Sequence, residues 1–285
     1  MAIVRIQGGL GNQMFQYAMA RNYEKKYLEK ICFDIDCKNA TTPREYELDK
    51  LNIKEIEKVD GKDVLKYRKY RKICEKYKTL KIFSGILNYE FEKKEFEVQK
   101  INKCSYLDGY WQNIKYFEDI KDILNKEFIY SWKLKKEQKN IINYINNSNS
   151  IGIHVRRGDY LNIINASYHE TQNLDYYKRA VEYVERIIEN PTFFVFSDDI
   201  DWCKQAFLFN DFCFIDKNIN NNALEDFEML KSCSHHIISN STFSWWAAWL
   251  SKTQNNIVIA PEKWYKDKDL NNKCKSAILN NMIIM

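Results

Sequence analysis

The chain has 285 residues, 45% hydrophobic and 29% charged, which makes a soluble globular protein the default, built as one large domain or two of ordinary size. A formal net charge of +5 is too small for a dedicated nucleic-acid binder, yet it suits an anionic ligand. The eight cysteines contain no CxxC pair, which excludes zinc spacing and a small disulfide scaffold. They are expected to be buried, reduced thiols in a cytosolic protein.

The N-terminus enters a strand directly at Ala2 to Ile6, so neither a signal peptide nor a transmembrane helix is expected, and Asn240-Ser241-Thr242 then carries no glycosylation meaning. Gln7-Gly8-Gly9-Leu10-Gly11-Asn12-Gln13 follows, then a helix with Phe15, Ala18, Met19 and Asn22 at helical spacing. Strand, glycine-rich turn and helix can bring backbone amides to a phosphate. The glycines match neither the GxGxxG fingerprint nor a Walker loop, and a tight turn without a ligand gives the same pattern. Lys30 to Ile35 is a second strand closing on Asp34-Ile35-Asp36. Pro43 to Lys103 is highly charged and helical in pattern; within it Tyr67, Tyr70, Cys74 and Tyr77 share one face among basic residues. Such a helix docks on its own domain by the tyrosine stripe, or rests on an anionic membrane surface.

Tyr106 to Tyr110 is a further strand, followed by Trp111-Gln112 and a helix from about Ile114 to Lys126. The polar stretch Asn143 to Ser150 is a plausible linker, which sets domains at 1–148 and 149–285, with the last helix able to pack back on the first. Strands then alternate with helices: Ile151 to Val155, a helix carrying Tyr177, Ala180, Val181, Val184, Ile187 and Ile188, Thr192 to Phe196, a helix near Trp202 to Phe209, and Phe212 to Ile215. A helix at Ala223 to Ser232, a strand at His236 to Ser239, a helix at Phe243 to Leu250 and a strand at Ile257 to Ala260 complete the series. This alternation predicts a parallel, Rossmann-type sheet; the fold class is α/β, two such domains facing a central cleft.

Three strand ends converge on one edge of the second sheet: His154-Val-Arg-Arg-Gly-Asp159, Ser197-Asp198-Asp199 and Ser239-Asn-Ser-Thr-Phe-Ser244. The carboxyl edge of an open α/β sheet is where ligands bind. Arg156 and Arg157 offer planar forks of donors that match phosphate oxygens. Ser241 or Thr242 is the expected N-cap of the apolar helix that follows, and a capped helix N-terminus facing two arginines also makes an anion site. Asp199 is read as a cap of its own helix. Asp198 can accept two hydrogen bonds from the N1 and N2 edge of guanine.

Gly8-Gly-Leu-Gly-Asn-Gln-Met-Phe-Gln-Tyr-Ala18, Gly109-Tyr-Trp-Gln112, His154-Val-Arg-Arg-Gly-Asp-Tyr160, Phe196-Ser-Asp-Asp199 and Ser239-Asn-Ser-Thr-Phe-Ser-Trp-Trp246 occur in that order. Together they span nearly the whole chain and resemble the α1,2-fucosyltransferases of glycosyltransferase family 11. The resemblance implies a GT-B fold, a GDP-β-L-fucose donor, inversion at the anomeric carbon and no metal or other cofactor. It implies a terminal β-galactoside, free or on a lipid-linked oligosaccharide, as acceptor at its 2-hydroxyl; the expected location is cytoplasmic, with peripheral membrane contact as the alternative reading of the Lys66 to Lys81 helix. By the same resemblance Arg156 contacts the diphosphate with support from Arg157, and His154 and Asp198 face the ribose and guanine. Ser241, Thr242 and the Phe243 amide bind the β-phosphate, and the Gly9-Leu-Gly11-Asn12 turn closes over the donor with Asn12 near the reacting centre. Asp159, beside the arginines, is the candidate base; Asp36 and a reaction with little base assistance are the alternatives.

Three other readings compete. Asp34-Ile-Asp36 and Asp199-Ile-Asp201 both spell the DxD of metal-dependent transferases. A non-catalytic lectin would use the 19 tyrosines and 7 tryptophans as stacking platforms. A protein O-fucosyltransferase would share the two-domain plan and is disfavoured by the expected lack of a secretory signal.

Overall fold

The computed structural model describes residues 1–35, 45–59, 61–101, 103, 106–130, 133–158, 172–216, 222–279 and 282–285. The chain divides into two compact units, Met1–Ile129 and Tyr130–Met285, and the boundary expected at 148/149 falls inside the second.

In the first unit β1 (Ala2–Arg5) leads into α1 (Leu10–Tyr27), then β2 (Ile31–Asp34), β3 (Glu57–Lys58) and α2 (Gly61–Lys76). A 3-10 helix at Lys78–Leu87, β4 (Tyr89–Phe91), β5 (Tyr106–Asp108) and α3 (Lys121–Glu127) follow. The strands form one parallel sheet in the order β3-β2-β1-β5-β4. Every residue of β1, β2 and β5 is buried, as apolar runs in a parallel sheet require. The tyrosine stripe docks α2 on this sheet: the Tyr67 ring stacks on Tyr106 at 4.6 Å, and Tyr70 meets Tyr89 edge-on at 5.4 Å. Tyr77, expected on the same face, is 52% exposed.

Two expectations need correcting here. The stretch read as mostly helical, Pro43 to Lys103, contributes β3 and β4, the two edge strands. Both are short because an edge strand pairs on one side only; β3 is charged and exposed, while β4 buries Tyr89 and packs Phe91 against the core. The helix expected from Ile114 to Lys126 is two 3-10 turns, Ile114–Tyr116 and Glu118–Ile120, before α3 begins.

The second unit contains α4 (Lys136–Asn146), β6 (Asn149–Val155), α5 (Leu174–Ile187), β7 (Pro191–Ser197), α6 (Ile200–Ala206) and β8 (Phe212–Phe214). Next come α7 (Ala223–Ser232), β9 (His235–Ile237), α8 (Thr242–Trp249), β10 (Val258–Ala260), α9 (Lys268–Ile278) and β11 (Ile283–Ile284). Its sheet is parallel, in the order β11-β10-β9-β6-β7-β8, so β6 lies between β9 and β7. The stretch read as a linker, Asn143 to Ser150, is the last turn of α4 and the start of β6; its polar residues are the capping turn of a helix, not a hinge.

Ile151, Ile153 and Val155 of β6 pack with Tyr176, Tyr177, Ala180, Val181 and Val184 of α5, all nearly inaccessible. Each large apolar side chain so buried contributes about 1.5–3 kcal/mol. Ile187, expected on that face, is 48% exposed at the end of α5. Asn173 caps α5 by accepting the Tyr176 N–H at 3.0 Å. Trp245 and Trp246 of α8 are fully buried, and Trp245 Nε1 donates to the Ile278 carbonyl at 2.6 Å, which ties α8 to α9. Cys32, Cys74, Cys203, Cys213, Cys233 and Cys274 are free thiols, all buried except part-buried Cys213. Among the described residues no helix is long and apolar enough to cross a membrane.

Candidate active site

The β6–β7 register decides what meets at the carboxyl edge of the second sheet. Val155 is paired with Ser197, so the two residues after each leave the sheet side by side. Arg156 Nη1 consequently lies 3.0 Å from Asp198 Oδ2, and Arg157 Nε lies 3.3 Å from Asp199 Oδ2. Asp198 Oδ1 accepts the backbone N–H of Arg157 at 2.9 Å. Asp199 also caps α6, accepting the Trp202 N–H through Oδ1 at 3.4 Å. The Arg157 guanidinium carbon sits 3.8 Å from the centre of the Trp202 ring, within cation–π range. Both arginine side chains remain partly open to solvent, at 27% and 19%.

His154 is buried beneath them. Its Nδ1 is 2.8 Å from Ser239 Oγ, on the segment after β9, and its ring lies 5.3 Å from that of Phe243. Burial, and then the Arg156 charge, push the imidazole down to about 3, so it is neutral at ordinary pH. The histidine therefore adds no charge; it links the arginine strand to the start of α8. Ser241 occupies the N-cap position of α8, but its hydroxyl makes no capping bond to the first amides of that helix. A serine that is geometrically a cap and chemically not one leaves that oxygen for another donor or acceptor. His154, Arg156, Arg157, Asp198, Ser241, Thr242 and Phe243 thus share one sheet edge in the second unit.

In the first unit the glycine turn is built from its own side chains. Gly8 has φ +78°, and a Cβ there would meet Asn12 Nδ2 at 2.7 Å. Gly9 caps α1 in an extended conformation, and its carbonyl accepts the Asn12 and Gln13 amides. A Cβ at Gly9 would meet nothing within 4 Å, so the backbone there is open to a close approach. Gln13 Nε2 donates to the carbonyls of Gly8 and Glu45, and Gln16 pairs through both ends of its amide with the backbone of Gln7. Asn12 Oδ1 accepts from Gln112 Nε2 at 2.8 Å, which joins the turn to the Gly109-Tyr-Trp-Gln112 segment. The first turn of α1 holds no acidic residue, leaving the positive end of its dipole uncancelled.

Asp34, the first aspartate of one DxD, is 2% exposed and committed to the protein: it takes Arg68 through both oxygens and the Tyr106 hydroxyl at 2.6 Å. That environment does not fit a metal ligand. Asp199, the first of the other, is held by Arg157 and α6, as described above. Asp159 and Asp36, the alternative bases, lie outside the described residues. Two contacts at these edges carried no signal in the sequence. Trp202 reads as an ordinary amphipathic position, and Glu92 falls in a stretch that reads as helix. Glu92 follows β4 and accepts the backbone amides of Tyr110 and Trp111 at 2.7 and 3.1 Å.

These geometries agree with what the whole sequence resembles. The Alpha-1,2-colitosyltransferase of Escherichia coli is 33% identical over 279 residues, covering 94% of each chain. The O-antigen biosynthesis glycosyltransferase WbnK of the same organism is 31% identical, over 95% of this chain and 96% of its own. Among solved structures, the NodZ alpha-1,6-fucosyltransferase of Bradyrhizobium, in crystals soaked with GDP-fucose, superposes with a TM-score of 0.51 at 15% identity, over 87% of this chain and 92% of that one. The two parallel-sheet α/β units of this chain are those of the GT-B class. Residues 1–284 match Glycosyl transferase family 11, and the chain belongs to that family of glycosyltransferases.

Proposed function

We propose that the protein transfers L-fucose from GDP-β-L-fucose to the 2-hydroxyl of a terminal β-galactoside, with inversion and without a metal ion. The observation that carries this reading is the pair Arg156 and Arg157, braced by Asp198 and Asp199 at the carboxyl edge of the second sheet. As the bond from the anomeric carbon to the diphosphate breaks, negative charge collects on the departing GDP. Two preset guanidinium forks and the N-terminus of α8, with Ser241, Thr242 and the Phe243 amide, neutralise that charge as it develops. This is the task a DxD-bound cation performs elsewhere. Asp198 keeps one lone pair on each oxygen for a guanine edge while bracing the arginines. Neutral His154 faces the nucleoside without adding to the positive charge. In the first unit, the backbone at Gly9 is open to a close approach, and Asn12 is held in place by Gln112.

The acceptor presented on a lipid-linked oligosaccharide fits the surface of residues 61–87. There Leu65, Ile73, Phe83 and Ile86 are exposed beside exposed Lys66, Lys69 and Lys72, a mixture that suits an anionic membrane face.

A second donor has a specific observation in its favour, because one 33% identical relative is named for colitose. Colitose is L-fucose without its 3-hydroxyl. A site that hydrogen-bonds the 3-hydroxyl discriminates strongly, whereas a site that only encloses it does not. The deciding experiment offers the purified protein each nucleotide sugar, with a panel of β-galactosides and EDTA present, and reads product mass and linkage. An α1,2-fucosylated product is expected. Transfer of colitose alone would move the donor assignment, and loss of turnover in EDTA would return the metal-dependent reading.

A further inference from the structure

A cavity of about 350 Å³ opens at the carboxyl ends of β1, β4 and β5 in the first unit. Its wall carries Arg5 from β1, Glu92 just after β4, Tyr110 just after β5, and Arg71 from α2. The volume suits one or two sugar rings, and the lining mixes an aromatic ring, a carboxylate and fixed cations, as a hydroxyl-rich ligand requires. Arg71 is only 5% exposed, and its buried Nε has no hydrogen-bond partner; the nearest carboxylate oxygen, on exposed Glu75, is 3.5 Å away. A buried guanidinium Nε–H that lines a cavity and lacks a hydrogen bond calls for a ligand acceptor.

Glu92 is the only partly exposed carboxylate in this wall that is held from both sides by backbone, Oε2 by the Tyr110 N–H and Oε1 by the Trp111 N–H. Each oxygen retains a lone pair. Trp111, at φ +58°, is a non-glycine residue in the left-handed region, and this costs about 1 kcal/mol or more. The conformation turns two successive amides onto one carboxylate. The same four-residue segment ends at Gln112, which holds Asn12 of the glycine turn. One short turn therefore fixes the carboxylate at one end and the proposed donor-closing residue at the other.

We propose that this cavity seats the acceptor sugar and that Glu92 takes the proton from the hydroxyl being glycosylated; the proposal rests on the transferase reading above. In that step the acceptor oxygen bonds to the anomeric carbon and its proton passes to a Glu92 oxygen. The bond from that carbon to the diphosphate breaks, and its electron pair leaves with GDP. Charged and titratable groups line the cavity with Glu92 from each neighbouring element: Arg5 and Asp108 from β1 and β5, Arg71, Cys74 and Glu75 from α2, Lys81 from the 3-10 helix, and Glu95 and Tyr110 from the loops. Burial raises the Glu92 carboxyl to about 7 against the pull of the two amides, and Glu95 and Asp108 add to the rise. That suits a group that must be ionised yet accept a proton near neutrality.

The test uses the full chain with GDP-fucose and whichever β-galactoside the wild type accepts. Glu92→Gln is expected to lower kcat at least 100-fold, leave GDP affinity within twofold, and remove the acid limb near pH 7 from the kcat profile. Glu92→Asp, which keeps a carboxylate, is expected to retain an acid limb and part of the activity. Asp159→Asn and Asp36→Asn, which remove the other candidate bases, are each expected to keep the limb. Wild-type-like kcat in Glu92→Gln, or an unchanged acid limb there, overturns the proposal. If Glu92→Gln does not fold, an Asp159→Asn profile without the limb overturns it instead. A wild type that transfers no sugar sinks the functional reading itself, a result distinct from either outcome for Glu92.

Discussion

Arg156 Nη1 rests 3.0 Å from Asp198 Oδ2, while the other oxygen of that carboxylate holds the backbone N–H of Arg157 at 2.9 Å. One aspartate thus orients one arginine by its side chain and the next by its main chain, using contacts internal to the protein. Preorganised charge is what stabilises a transition state, because it need not reorient as the leaving group departs.

Arg156→Lys tests this directly. Lysine keeps the charge but loses the planar fork, so it cannot hold Asp198 and a phosphate oxygen in the same geometry. Removing one preorganised donor costs on the order of 3 kcal/mol, or about 100-fold in turnover. Steady-state kinetics should give a fall of about that size with little change in melting temperature, since a partly exposed pair contributes at most about 1 kcal/mol to stability. Near-wild-type kcat would remove Arg156 from the chemistry.

Gly158→Ala attacks the same brace from behind. A Cβ at Gly158 would lie 2.8 Å from Asp198 Oδ2 and 3.1 Å from its Cγ, so the carboxylate must shift. Gly158 is exposed in a turn, and the fold should tolerate the methyl. GDP affinity, measured by calorimetric titration, is expected to fall about tenfold, since the displaced Asp198 releases the Arg156 side chain and the Arg157 main-chain N–H. Unaltered affinity would mean that the arginines hold their positions without Asp198.

Much of this edge was legible in the sequence because strand ends announce themselves. Ile151 to Val155 is apolar and then stops on charge, and Thr192 to Phe196 does the same before Ser197-Asp198-Asp199. Parallel neighbours of equal length bring such ends together, so the Arg–Asp pairing follows once the strands are adjacent. The edge strands Glu57–Lys58 and Tyr89–Phe91 were not legible. They are two and three residues long, too short for an alternation to distinguish them from a loop or a helical turn. Glu92 was hidden for that reason, as it only becomes a cavity residue once Tyr89–Phe91 is a strand. Trp202 was hidden differently: its partner Arg157 is distant in sequence, and no periodicity encodes a stacking contact.

The two units should respond oppositely to acid. In the second, burial pushes His154 down to about 3 and His236 to about 4, against about 6.5 in an unfolded chain. Below pH 6.5 the unfolded second unit binds protons that the folded one refuses, so its stability falls with pH, by about 1.4 kcal/mol per unit for each histidine. In the first unit Glu92 is raised to about 7 from its ordinary 4.5. Between those values the folded form binds the extra proton, and Glu92 contributes stability that is lost as pH rises. Urea unfolding followed by pulse hydrogen exchange, read by unit at pH 6.5 and 5, should show the second unit losing stability and Glu92 favouring the first. His236→Gln should lower the slope of the second unit, leaving the part due to His154 and to His235, which burial also lowers; an unchanged slope would show that another group is responsible.

Gly8→Ala probes the glycine turn. The φ of +78° at Gly8 costs an L-residue about 1–2 kcal/mol, and the new Cβ would press on Asn12 Nδ2 at 2.7 Å. The side chain of Asn12 has to rotate, which breaks its bond to Gln112 Nε2 and unhooks the turn from the Gly109-Tyr-Trp-Gln112 segment. Turnover should fall further than stability predicts, because Asn12 is the residue proposed to reach the reacting centre from this unit. Gln112→Ala removes the same bond without straining the backbone, and should reproduce the kinetic loss with a smaller drop in melting temperature. If Gln112→Ala turns over normally while Gly8→Ala does not, the effect of Gly8→Ala is backbone strain alone, and Asn12 does not need its partner.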